Sequence, residues 1–191
     1  ACCDKNGAHI ASIVGRFYAM DRDKRWEREQ LAYEAIAHAK APTTAQSAVA
    51  GLLASYADTS EKPEGVTDEF VVPFVVAGYP GMKNGAGAIF YNFRPDRARQ
   101  ISRAFTEPDF DGFVRGRAPR VTYVCLTEYD PTLDALVAFP KTFPEHVLAD
   151  VIADAGLTQY HTAETEKYAH VTFFLNGGVE EPKAGETRRL V

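Results

Sequence analysis

The stretch AIFYNFRPDRARQISRAF, residues 88–105, decides how the chain is read. Ala88 to Asn92 is an apolar and aromatic run of β-strand length. Pro95 follows closely and suits the first turn of a helix, where its missing N–H does no harm. Ala98, Ile101 and Phe105 then recur at helical spacing and give that helix an apolar face. A strand feeding an amphipathic helix is a building unit of α/β folds, and the alternation continues on both sides.

Upstream, His9 to Val14 reads as a short strand, and a helix is predicted from Lys24 to Lys40 with Trp26, Tyr33, Ile36 and Ala37 on one face. Pro42 stops it. Thr43 with Gln46 makes a capping-box pattern for a second helix, whose Val49, Leu52, Leu53 and Tyr56 are expected to pack against a sheet. Asp58 to Glu69 is a polar loop, Phe70 to Val76 a strand, and GYPGMKNGAG (78–87) a turn-rich, glycine-bearing connection that fits no nucleotide fingerprint. Downstream, Arg120 to Leu126 and Ala135 to Phe139 read as strands. Pro144 is expected to open a helix through Ala155 with Val147, Leu148, Val151 and Ile152 inward, stopped by Gly156. Tyr168, Val171, Phe174 and Leu175 outline a last helix before Gly177 and Gly178. Strands alternating with helices make this an α/β chain without internal repeats. FPKTFP (139–144) restricts the backbone between a strand and a helix, either as a hinge between domains or as a rigid connection.

At 191 residues the chain is one domain or parts of two. Twenty-one Lys+Arg against 26 Asp+Glu give a net charge of -5, which speaks against a general nucleic-acid binder. No apolar run approaches the ~20 residues of a membrane helix. Cys2, Cys3 and Cys125 form no CxxC pair, and no signal peptide opens the chain, so reduced thiols in a cytosolic protein are expected. Cys125 falls inside an apolar strand and reads as inert core. The first residue is Ala1, so the chain has been processed or is a piece of something longer.

The arginines carry the chemical interest. Arg16 follows Gly15 after a strand, Arg22 sits between Asp21 and Asp23, and Arg94 and Arg97 flank Pro95-Asp96 at the mouth of a helix. Guanidinium groups at a helix N-terminus oppose the helix dipole unless an anion or a carboxylate neutralises them. A phosphate or carboxylate ligand supplies that neutralisation, and the arginine fork binds it bidentately. Alternatively, Asp21, Asp23 and Asp96 pair with these arginines on the surface. On the residues alone this second reading weighs more, because charge runs are usually solvated faces. Glu166 and His170 at i and i+4 are a lone pair and make no metal site. GxSxG and GxxxxGK[ST] motifs are absent.

Three blocks, GRFYAMDRDKRWER (15–28), IFYNFRPDRARQISRAF (89–105) and AETEKYAHVTFFLNGGVEEP (163–182), closely resemble the cofactor-independent phosphoglycerate mutases, in that family's order. The resemblance implies an alkaline-phosphatase-like enzyme of two α/β domains. It interconverts 3-phosphoglycerate and 2-phosphoglycerate through a phosphoserine, with two manganese ions and without 2,3-bisphosphoglycerate. Residues 1–141 would be the later part of the inserted phosphotransferase domain, and residues 142–191 the start of the second segment of the phosphatase-like domain. The resemblance makes the hinge at 139–144 the expected reading.

By motif, Arg16 and Arg22 match GR-x-x-x-MDR and Arg94 and Arg97 match FRPDR, which implies a clamp on substrate phosphate and carboxylate. Lys167, in ETEKY, would be catalytic and reach the phosphoryl group from the side of the metal-bearing domain, with Glu166 as its neighbour. Domain closure would gather these cations and exclude water. The nucleophilic serine and the metal ligands match nothing in this sequence, so the chain reads as an internal fragment, inactive alone. The family further implies a cytoplasmic enzyme of glycolysis and gluconeogenesis, monomeric, with a small-molecule substrate and no nucleic acid or membrane partner. A non-catalytic phosphometabolite-binding remnant is the alternative.

Overall fold

The computed structural model describes residues 2–60 and 65–191, with Asp4 in its backbone only. Part of the expected Asp58–Glu69 loop, residues 61–64, lies outside the described residues. The chain divides into two compact units, Ala1–Pro140 and Lys141–Val191.

In the first unit the elements run α1 (Cys2–Lys5), β1 (Ser12–Ile13), α2 (Arg16–Ala19), α3 (Trp26–His38), β2 (Thr43–Ala45), α4 (Ala48–Ala57), β3 (Phe74–Val76), β4 (Gly87–Phe90), α5 (Arg99–Thr106), β5 (Thr122–Thr127) and β6 (Leu136–Phe139). A single 3-10 turn, Asp68–Phe70, precedes β3. Strand β3 lies between β1, antiparallel to it, and β2, parallel to it. The second sheet is wholly parallel in the order β4-β5-β6, with Ile89 opposite Val124 and Val124 opposite Leu136.

The core of this unit is built where α3 meets α5. Ala32, Tyr33 and Ala37 pack with Ile101 and Ala104, and Phe90, Phe105, Phe110 and Phe113 close around them. The small residues let the two helices approach, while aromatic edges fill the margins: Trp26 meets Phe110 edge to face at 5.2 Å. On the other side of α5, Ala98 packs with Tyr123, Cys125 and Tyr129. Burial pushes the Cys125 thiol up, in keeping with an inert core cysteine. The hydroxyl of buried Tyr129 lies 2.7 Å from the Phe90 carbonyl and 2.6 Å from that of Asn92, which fixes how the chain leaves β4.

Several local expectations are corrected. Thr43 is not a cap: Thr43–Ala45 is strand β2, and Ser47 caps α4 by accepting from the Ala50 N–H. Helix α4 exists, but its inward face is Ala48 and Gly51, while Val49, Leu53 and Tyr56 are exposed. The cause is close approach: a Cβ at Gly51 would sit 2.3 Å from the buried Phe74 ring, so no larger side chain fits there. The expected strand from Phe70 begins only at Phe74, after the 3-10 turn and the buried Pro73.

The second unit holds α6 (Leu148–Asp154), β7 (Gln159–Ala163), α7 (Thr165–Ala169), a π-helical turn (His170–Phe174) and β8 (Glu186–Leu190), with β7 and β8 paired in parallel. Helix α6 starts four residues after Pro144, and Ala149 rather than Leu148 or Val151 is its buried residue. Strands β7 and β8 were not expected; Tyr160 and Leu190 are exposed, so neither shows an apolar alternation. Buried Glu186 holds this unit together, accepting from Asn176 Nδ2 and the Lys183 N–H at 2.7 Å each and pairing with Arg188 Nε and His161 Nδ1 at 2.5 and 3.2 Å.

Two substitutions test the corrected face of α4. Gly51→Ala is expected to destabilise the protein by roughly 1–3 kcal/mol through overpacking against Phe74, whereas Leu53→Ser should stay within about 0.5 kcal/mol of wild type. Denaturant midpoints read both, and the opposite ranking would reinstate the face expected from periodicity.

Candidate functional site

Gly15 ends β1's run and opens α2 where its N–H bonds the Val71 carbonyl at 2.8 Å. A Cβ there would meet the Glu69 carbonyl at 2.5 Å, so glycine is the residue that lets α2 start against this segment. Arg16 follows, exposed, at the first position of α2. The chain then turns sharply through residues 20–25 into α3, and Arg22 is the exposed apex of that turn.

Asp21 builds the turn. Its carboxylate is buried, and Oδ2 accepts from the Asp23 N–H at 2.8 Å, the Arg25 N–H at 2.9 Å and Gln100 Nε2 at 3.0 Å. Oδ1 takes Arg25 Nη1 at 2.9 Å. Burial alone would raise this carboxyl, but the Arg25 N–H, Gln100, the Asp23 N–H and the Arg25 guanidinium outweigh it and hold it down at about 2. The opposite holds for Glu29, on α3 and fully buried, whose Oε1 accepts the Asp21 N–H at 3.0 Å. Burial pushes Glu29 up to about 8; the Asp21 N–H opposes that and the Asp21 charge adds to it.

The second arginine segment lies between β4 and α5, at the C-terminal end of a parallel strand, where open α/β sheets place their ligands. Asn92 Nδ2 bonds the Arg94 carbonyl at 2.9 Å and shapes the loop. Asp96 then bridges the two segments, 3.2 Å from Arg22 Nη1 and 2.7 Å from Arg94 Nε. Burial would raise Asp96, but Arg22 and Arg94 hold its carboxyl below the usual range. Arg97 Nη1 bonds the Met20 carbonyl at 2.8 Å. Arg22 and Arg94 therefore meet on one carboxylate, and Arg97 is tied to the Met20 carbonyl two residues before Arg22; Arg22 and Arg94 are still 49% and 68% exposed, leaving positive charge open to an anion.

Of the surface pairs expected from sequence, Asp96 does pair with Arg22 and Arg94, but Asp21 and Asp23 pair with Arg25 rather than Arg22. Lys167 and Glu166 are exposed on α7 in the second unit, and the Glu164 side chain caps that helix by accepting from the Glu166 N–H at 2.7 Å. His170 begins the π-helical turn and stacks on Phe174. Among the described residues no group of three or more His, Cys, Asp or Glu could hold a metal ion, and no helix is long and apolar enough to cross a membrane. Sequence reasoning missed Gln100 and Glu29. A signal existed for Glu29: it stands three residues after Trp26 and four before Tyr33, on the apolar face of α3.

An α/β fold of the alkaline-phosphatase-like class, with arginines converging at the end of a parallel sheet, is the setting for the comparisons with known proteins. Residues 1–131 match the family model described as the BPG-independent PGAM N-terminus. The chain is 51% identical over its whole length to the 2,3-bisphosphoglycerate-independent phosphoglycerate mutase 2 of Methanosarcina acetivorans, of which it spans 37%. It is 50% identical over 95% of its length to the corresponding mutase of Trichormus variabilis, spanning 33% of that protein. A crystal structure of Leishmania mexicana phosphoglycerate mutase at low cobalt concentration superposes with a TM-score of 0.66 over 98% of the chain and 36% of that protein, at 29% identity. This chain belongs to the 2,3-bisphosphoglycerate-independent phosphoglycerate mutase family and spans about a third of the length of these relatives.

The two buried acids act oppositely on stability. Asp21, held low, favours the fold above about pH 4, and that contribution is lost as pH falls toward 2. Glu29, held high, favours the fold while protonated, fully so below its ordinary 4.5, and the contribution is lost as pH rises through about 8. Glu29→Gln cannot ionise, so its stability is expected to fall less between about pH 5 and pH 9, by on the order of a few kcal/mol relative to wild type. Denaturant titrations across that range check it; parallel pH profiles for both proteins would contradict it.

Proposed function

We propose that this chain supplies the substrate-gripping part of a phosphoglycerate mutase that interconverts 3-phosphoglycerate and 2-phosphoglycerate through a phosphoserine, without 2,3-bisphosphoglycerate. The observation that carries the reading is the meeting of Arg22 and Arg94 on Asp96, with Arg97 anchored to the Met20 carbonyl of the segment that carries Arg22. Guanidinium forks match phosphate and carboxylate oxygens bidentately, and both groups occur on a phosphoglycerate. Arg22 and Arg94 are the exposed members and would make the direct contacts. Arg97, tied to the Met20 carbonyl, would hold the two segments at the spacing of the substrate while offering its remaining donors. Arg16 would be the fourth cation of the clamp.

Asp96 has a defined part in this arrangement. It keeps two like charges close together before substrate arrives, a cost that an anionic ligand would take over. The small-molecule substrate fits the scale of the cluster. Lys167 is assigned to the transferring phosphoryl group, where fixed positive charge lowers the barrier as negative charge develops. Residues 1–141 would belong to the phosphotransferase domain and residues 142–191 to the phosphatase-like domain. The described residues do not fit a metal site, so the two manganese ions of this reading, like the serine, would be held by other parts of the polypeptide; no step assigned to the present residues runs through a metal. The setting would be glycolysis and gluconeogenesis in the cytoplasm, with the complete enzyme a monomer.

In the full-length protein, Arg94→Ala and Arg97→Ala are each expected to lower kcat/KM for 3-phosphoglycerate by about two orders of magnitude or more. Steady-state assays in both directions read the effect. Kinetics like wild type in both variants would remove the clamp.

A further inference from the structure

We propose that Gln100 is a positioning residue that latches the Arg22 turn to α5 and so fixes the spacing of Arg22 and Arg97. The inference rests on the arginine-clamp reading above, and its experiment separates the two. Gln100 is buried and reaches 76 and 79 residues back along the chain. Its Oε1 accepts the Lys24 N–H at 2.6 Å, and its Nε2 donates to Asp21 Oδ2 at 3.0 Å.

Arg97 stands three residues before Gln100, on the same side of the helix entry, and donates to the Met20 carbonyl. The start of α5 thus holds the turn at Met20, Asp21 and Lys24, and Arg22 projects from between these anchors. Lys24 has a φ of 59°, in the left-handed region that a residue with a side chain adopts only when its surroundings compel it. The Gln100 acceptor on its N–H is part of that compulsion.

The chemistry selects an amide at position 100. The site demands a donor toward the Asp21 carboxylate and an acceptor toward the Lys24 N–H, and a side-chain amide offers both at this length without charge at every pH, where a carboxyl does so only when protonated. A carboxylate would keep the acceptor but oppose Asp21 with like charge, in a setting already shared by Glu29, Arg25 and Arg28. An apolar side chain would leave the Lys24 N–H and one Asp21 lone pair without partners.

Three variants of the full-length protein test the latch: Gln100→Glu, Gln100→Met as a near-isosteric replacement, and Arg22→Ala as the control for the clamp. Gln100→Glu is expected to raise KM for 3-phosphoglycerate roughly tenfold at neutral pH. Its kcat/KM relative to wild type should recover as pH falls, because protonating the introduced carboxyl restores a donor toward Asp21. A merely structural defect gives no such recovery. Gln100→Met should raise KM similarly at every pH, and should serve alone if the charged variant does not fold. Amide hydrogen exchange supplies a readout independent of substrate: both variants should lose protection at Asp23, Lys24 and Arg25 without loss in the core of α3. If wild type and Arg22→Ala handle phosphoglycerate alike, the clamp reading fails and exchange still decides the latch. Wild-type KM together with unchanged protection at these amides in Gln100→Met would overturn it.

Discussion

The buried Asp21 carboxylate accepts two backbone N–H groups of its own turn, the Arg25 guanidinium and the Gln100 amide, and the geometry of the first unit's arginine face follows from those bonds. The backbone bonds make the turn that launches α3, which begins without a side-chain cap of its own. The bond to Gln100 ties that turn to α5, whose other face packs on the parallel sheet. A carboxylate satisfied by so many donors stays ionised in a place where burial would otherwise neutralise it. Protonating it or removing it would leave several buried donors competing for too few acceptors.

Electrostatic tension is distributed unevenly around this hub. Glu29 sits beneath Asp21 with its charge suppressed by burial, so that one acid of the pair is ionised and the other neutral. Nearby, the half-exposed Arg22 and Arg94 share Asp96, and Arg97 bonds the Met20 carbonyl. A chain with a net charge of -5 thus presents a local positive face, which attracts a small anion while the acidic remainder discourages polyanions. The same division explains why the arginines read as surface ion pairs when taken residue by residue, and as a clamp when taken as a converging set.

Much of the first unit was legible in the sequence, because strand–turn–helix punctuation is local. The apolar run and the spacing of Ala98, Ile101 and Phe105 locate β4 to within two residues and the body of α5, but α5 starts at Arg99, so Pro95 stands four residues ahead of the helix in a turn and not in its first turn. Helix α3 ends within two residues of its expected end. The failures share a cause, which is that tertiary approach overrode a local pattern. Val49, Leu53 and Tyr56 form a proper apolar stripe, yet α4 turns Ala48 and Gly51 inward because Phe74 leaves no room for more. Thr43 is as good a β-former as a cap, and pairing with β3 decided the matter. Strands β7 and β8 depend on a partner more than twenty residues away and on the buried Glu186 network, neither of which leaves a periodic trace. At the site, motif resemblance singled out Arg16, Arg22, Arg94, Arg97 and Lys167, but the segment that carries Arg22 is tied to α5 by Gln100 and Asp21, two polar residues whose contact spans 79 positions of chain.

The most direct measurement is a carbon-detected NMR titration of the Asp21 side-chain carboxyl, assigned by comparison with Asp21→Asn. A carboxylate bound by the Asp23 and Arg25 N–H groups, Arg25 and Gln100 is expected to stay ionised until about pH 2. Titration near the ordinary 3.8 would mean that the carboxyl is not held by those donors, and the turn that presents Arg22 would lose its physical basis.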